Sequence, residues 1–180
     1  EKEKYRVVIR DNGPGIMKKQ IPKIFGTLLY GSKFHRLRQS RGQQGLGISC
    51  AVLYAQLTTG EPTEVISSTG DGKTHRYKLK IDVKKNEPVI IEESEEPSRR
   101  EWHGVQITFV CEGIYRESKQ SVAEYIKQTA IVNPYASIHY ITPEGEQIEF
   151  LRVTKELPIK PKPIKPHPHG IELGTLIAML

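Results

Sequence analysis

The stretch RGQQGLGIS (Arg41–Ser49) runs straight into the apolar segment CAVLYA (Cys50–Ala55), and three glycines, Gly42, Gly45 and Gly47, crowd the junction. The apolar run reads as a helix to about Thr58, closed by Gly60-Glu61-Pro62. Glycine in a helix is about 1 kcal/mol worse than alanine, so something else should call for it at the start. A helix N-terminus offers unpaired N–H groups and the positive end of a dipole, and bare backbone there lets anionic oxygens approach. On its own, GxxGxG also fits a turn that merely enters a helix. Two familiar phosphate motifs are excluded. The spacing is not GxGxxG, and Gly26–Lys33 imitates a P-loop with its Ser and Lys reversed and a helix, not a strand, before it.

Upstream, Tyr5–Arg10 (YRVVIR) alternates as a strand and ends at Asp11-Asn-Gly-Pro-Gly15. A carboxylate at a strand end can accept from an exocyclic amine, such as that of adenine, and Gly13 and Gly15 leave room for a flat base. An ordinary Asn-Gly-Pro-Gly turn is the other reading. The order carries more than either part. A base-reading turn, a long loop and a glycine-opened helix follow one another within residues 11–49. That is the layout of a nucleotide site with base, lid and phosphate parts.

The rest of the chain frames this segment. Its 180 residues carry a formal charge of +6, with 37% hydrophobic residues, as expected of one globular domain plus a tail. No apolar run is long enough to span a bilayer, and a basic balance favours a polyanionic partner. The two cysteines, Cys50 and Cys111, read as buried free thiols in a reducing compartment. Starting at Glu1 in place of Met, the chain reads as a fragment.

Ile21, Ile24, Phe25 and Leu28 share one face of a short helix with Pro22 in its first turn. Residues 30–44 read as a loop. Glu64–Thr69 and Tyr77–Val83 pair as a hairpin, Pro88–Glu92 adds a strand, and Glu92–Glu101 is a charged loop. Val105–Cys111 is a further strand, residues 117–132 a helix with Val122, Tyr125, Ile126 and Thr129 on one face, and Ile138–Ile141 with Ile148–Val153 a last hairpin. The expected fold is α/β (α+β): a two-layer sandwich of helices on a mixed, mainly antiparallel sheet. It covers residues 1–157, followed by a Pro/Lys-rich linker, 158–169, and the start of a next unit, 170–180.

DNGPGI and GQQGLGIS resemble the two glycine boxes of the Bergerat-fold ATPases, the superfamily of gyrase, heat-shock chaperone, histidine kinase and mismatch-repair ATPases. The intervening segment, residues 21–60, is similar to the B subunits of type IIB topoisomerases (the topoisomerase VI family), and KPHPHGIELGTL resembles their exit toward a helix-two-turn-helix domain.

The resemblance implies ATP and Mg²⁺ as ligands. Asp11 would bond the adenine amino group, with Gly13 and Gly15 beneath the base. Ser32 and Lys33 would belong to a lid touching nucleotide, and Gly42, Gln43, Gln44, Gly45, Leu46, Gly47, Ile48 and Ser49 would cradle the phosphates. Arg36, Arg38 and Arg41 read as facing solvent or DNA. The family's general-base glutamate and Mg²⁺-binding asparagine are expected on a helix before Glu1, and its γ-phosphate lysine in a later domain, so no catalytic or metal-ligating residue is assigned within the chain. The implied partners are an A subunit that cuts DNA, a second B subunit joined on ATP binding, and double-stranded DNA, with no membrane. The implied location is cytoplasmic and nucleoid-associated, or nuclear in a eukaryote. Another Bergerat-fold ATPase, or a topoisomerase-like module without turnover, remains open on the residues alone.

Overall fold

The computed structural model describes residues 2–31, 42, 44–98, 102–116, 118–163 and 168–179. Five strands form one sheet: β1 (Glu3–Arg10), β2 (Thr63–Ser68), β3 (Lys73–Asp82), β4 (Glu87–Pro97) and β5 (Gly104–Gly113), in the order β1-β5-β2-β3-β4. Every neighbouring pair is antiparallel, which accords with the expected α+β sandwich. Two helices, α1 (Ile21–Gly26) and α2 (Gly47–Thr59), lie on one face.

Period-2 alternation decides which side chains go inward. His75, Tyr77, Leu79 and Ile81 of β3, Thr63, Val65 and Ser67 of β2, and Ile107 and Phe109 of β5 are buried, and they meet Ile21, Phe25, Val52 and Ala55 of the helices. The other face is open and charged, with Arg76 paired to Glu64 at 2.7 Å and Lys78 to Glu92 at 2.6 Å.

The C-terminal half of α2 is tied to the sheet by side chains. Thr59 Oγ1 donates to the Val110 carbonyl (3.0 Å) and Tyr54 Oη to that of Glu112 (2.9 Å). The Gln56 amide makes a two-point bond to Ile81, donating to its carbonyl (3.0 Å) and accepting from its N–H (2.8 Å). These anchors sit at the C-terminal ends of β5 and β3. These ties fix the C-terminal half of α2 over the ends of β5 and β3, while Asp11, Ser67 and Gly104 lie at the opposite end of the sheet.

Two expectations need correction. The segment 92–97 is not a loop, because β4 continues through it to Pro97. Cross-strand ion pairs from Lys73 and Lys78 to Glu95 and Glu92 turn its acidic run into a strand with partners. Cys50 is exposed and Cys111 half-buried. The run 50–55 is apolar all round, so its sequence does not select a face, and burial follows Ser49, Val52 and Ala55 instead. The expected helix over 117–132 is α3 (Val122–Ile131), capped by Ser121, and its apolar stripe is exposed, Val122 at 53% and Tyr125 at 72%. The last hairpin, β6 (Ile138–Ile141) with β7 (Gln147–Phe150), forms a separate two-stranded sheet. Residues 151–163 have no regular structure, and α4 (Leu173–Met179) follows.

Candidate nucleotide site

Asp11 directly follows β1, where its N–H donates to the Val105 carbonyl at 2.9 Å. Its carboxylate turns back on its own backbone. Oδ1 accepts from the N–H of Gly13 (2.7 Å) and from that of Val105 (3.2 Å). Both bonds end on Oδ1, and among the described residues none reaches Oδ2. The exposed carboxylate is thus held in place by one oxygen while the other is left to accept.

The turn it fixes is locked from three sides. His103 Nδ1 donates to the Gly13 carbonyl at 2.7 Å. Buried Ser67 receives the Ile16 N–H on its Oγ (2.8 Å) and donates back to the Ile16 carbonyl (3.0 Å). Gly15, at φ 72°, lies so close to the Ser68 carbonyl that any Cβ would collide with it. Gly15 is therefore required by the packing of the turn against β2, independently of any base.

The glycines of the second motif divide in the same way. Gly45, at φ 64°, sits against the Tyr30 carbonyl with no room for a Cβ, whereas Gly42 and Gly47 face open space. Ser49 is fully buried and donates to the Gly45 carbonyl at 3.0 Å, so its side chain braces the turn. Ile48 packs against the core, Leu46 is half-buried and Gln44 exposed. The first intrahelical bond of α2 is Cys50 N–H to Leu46 C=O. The N–H groups of Gly47, Ile48 and Ser49 thus have no partner among the described residues. Leu46 at the N-cap supplies no side-chain acceptor, and the first turn carries no acid. An uncapped, unneutralised helix N-terminus with bare backbone at Gly47 is suited to an anion.

The turn before α2 rests on the backbone of Tyr30, just past the segment in which Leu28 is tied to Asn86, and the Asp11 turn rests on Ser67, Ser68 and His103. Ser32, Lys33 and Gln43, with Arg36, Arg38 and Arg41, lie outside the described residues. Sequence reasoning missed Ser67, His103 and Gly104. Gly104 lets the Asp11 carbonyl pass against β5, and only the Arg10–Gln106 register would have pointed to it. Among the described residues no cluster of His, Cys, Asp or Glu is arranged to hold a metal ion. Asp11 is engaged in its own turn, so these residues offer Mg²⁺ no ligand set.

Residues 1–84, which hold both motifs, match the family described as histidine kinase-, DNA gyrase B- and HSP90-like ATPase. The chain is 57% identical to the B subunit of type 2 DNA topoisomerase 6 from Archaeoglobus fulgidus across 98% of its own length. The chain belongs to the topoisomerase 6 B-subunit family. Similarity to the same subunits of Methanococcoides burtonii (52% identity over 99% of the chain) and Pyrococcus furiosus (47% over 99%) is equally continuous. The chain spans 29% of the A. fulgidus and M. burtonii proteins and 32% of the P. furiosus one. The family places an ATP-binding domain on the span that carries Asp11 and Gly47. No helix among the described residues is long and apolar enough to cross a membrane.

Proposed function

We propose that this chain is the ATP-binding portion of the B subunit of a type II DNA topoisomerase. The observation that carries the reading is the Asp11 carboxylate, fixed through Oδ1 with Oδ2 left open, on a chain whose second glycine motif opens α2 with a bare, uncapped N-terminus. Oδ2 accepts the exocyclic amine of adenine, while the N–H groups of Gly47, Ile48 and Ser49 take phosphate oxygens. Ser32, Lys33, Gln43 and Gln44 complete the lid and cradle. The catalytic glutamate and the Mg²⁺-binding asparagine are supplied from outside this chain, so the isolated chain binds ATP weakly and turns it over negligibly.

In the whole enzyme, ATP binding joins two B subunits and closes a gate on a DNA duplex captured for strand passage, and the A subunit cuts DNA. Residues 1–157 form the ATP-binding unit, 158–169 a linker and 170–180 the start of the next domain. The enzyme works in the cytoplasm on the nucleoid, or in a nucleus.

The structure supplies a near-isosteric test. Asp11→Asn keeps an Oδ1 for the Gly13 and Val105 N–H groups but replaces Oδ2 by a donor. The expected result is an unchanged melting temperature with ATP affinity down at least tenfold, as calorimetry would read it. Wild-type affinity in Asp11→Asn would remove Asp11 from the site.

A further inference from the structure

The open face of the sheet is divided by charge, and the division falls on an element that the nucleotide site does not use. Along β1 every second residue points away from the helices: Lys4, Arg6, Val8 and Arg10, with Lys2 one step before. All five are exposed, and Val8 is the one uncharged member. Among the described residues none of the four cations forms an ion pair. Glu112 stands opposite Lys4 in register without reaching it, and Arg10 stacks its guanidinium 4.7 Å from the Trp102 ring. Behind the stripe, β5 presents neutral Gln106, Thr108 and Val110. In the middle of the sheet Arg76 and Lys78 are neutralised by Glu64 and Glu92. The far edge, β4, carries Glu87 and Glu96 beside the paired Glu92. Four strand spacings put that edge about 19 Å away, roughly two Debye lengths at physiological salt, so its acids do not cancel the basic edge.

We propose that the open face of β1 is a contact surface for the phosphate backbone of double-stranded DNA, held by Lys2, Lys4, Arg6 and Arg10. Alternate residues of a strand recur about every 6.8 Å, so the stripe is a straight row of cations about 27 Å long. Duplex DNA is the polyanion whose charge is as regular and as extended, with one charge per ~1.7 Å of axis. The stripe has no aromatic anchor other than half-buried Trp102, so it reads as positioning and not as base readout. The choice of DNA as partner rests on the topoisomerase reading; the cation row does not.

The test measures binding of a 25-base-pair duplex to the whole chain from 50 to 300 mM salt. The variant Lys2→Gln/Lys4→Gln/Arg6→Gln is set against a charge-matched control, Lys23→Gln/Lys84→Gln/Lys85→Gln, whose lysines are exposed elsewhere. The β1 triple should lower affinity more than tenfold at 100 mM salt and flatten the log–log salt slope by about 0.9 per cation removed, nearly 3 in all. The control should change both far less. Thermal melts should coincide with wild type. Equal effects in the two variants would overturn the proposal, as would no binding by the wild-type chain at 50 mM salt. So would an unchanged slope, which would leave the cations as guards against edge-to-edge pairing. Displacement of the duplex by poly-glutamate at equal charge would also overturn it, in favour of an acidic protein. ATP affinity, measured on both variants, should stay at the wild-type value, so failure of the nucleotide reading registers separately.

Discussion

At the residue scale, glycines with the same appearance in sequence do different work. A side chain at Gly15 or Gly45 must enter a carbonyl and adopt a positive φ (72° and 64°). Gly15→Ala and Gly45→Ala should each lose about 2 kcal/mol or more of stability in urea unfolding. Gly47 faces open space in the first turn of α2. Gly47→Val should leave the unfolding midpoint nearly unchanged and lower ATP affinity at least tenfold, because its branches occupy the approach to the free N–H groups. Loss of stability without loss of binding would reverse the assignment. Tyr77 makes a second residue-scale prediction. Burial first, and then a hydrogen bond to Glu93, push its phenol from 10.0 up to about 12. The folded state therefore favours the neutral form, and this stabilisation is complete below pH 10 and is lost as pH rises from there toward 12. Tyr77→Phe should flatten the alkaline limb of the stability profile, as urea midpoints at pH 8 to 12 would show. An identical limb in the variant would assign the loss to other groups.

At the element scale, the orientation of α2 depends on the Gln56–Ile81 tie. Gln56→Leu would leave the N–H and C=O of Ile81 unpaired in a half-buried setting. The expected loss is about 1–3 kcal/mol, with a further loss of ATP affinity because the helix start moves; stability lost with affinity intact would show that the tie does not aim the helix. How far such elements were legible in the sequence follows from their periodicity. The strands from Lys73 to Asp82 and from Gly104 to Gly113 alternate cleanly because one face is buried, and Gly60 marks the end of α2. The acidic β4 was not legible beyond Glu92, since its partners are lysines distant in sequence. In the candidate site, residue type marks the turn at Asp11 and the glycines that shape its backbone. Ser67, His103 and Gly104 carry no such mark, because they join the site through strand register, which no local pattern encodes. The stripe of α3 was read correctly as amphipathic yet stays exposed, because amphipathicity names a face without naming what covers it.

At the scale of the whole molecule, the two faces of the sheet offer different chemistry. On its helix-covered side stand a fixed carboxylate and an uncapped helix start, suited to a base and its phosphates. Its open face runs from a basic to an acidic edge, suited to a polyanion on one side only. The chain is similar to topoisomerase 6 B subunits over nearly all of its own length. The central claim is that adenine is read by the open oxygen of Asp11. Titrating ATP and GTP in parallel into the 180-residue chain tests it most directly, because guanine offers a carbonyl oxygen where adenine offers the amine. The account predicts weak ATP binding, at least tenfold tighter than that of GTP, with the preference abolished by Asp11→Asn. Equal affinity for the two nucleotides, or a preference that survives the substitution, would contradict it.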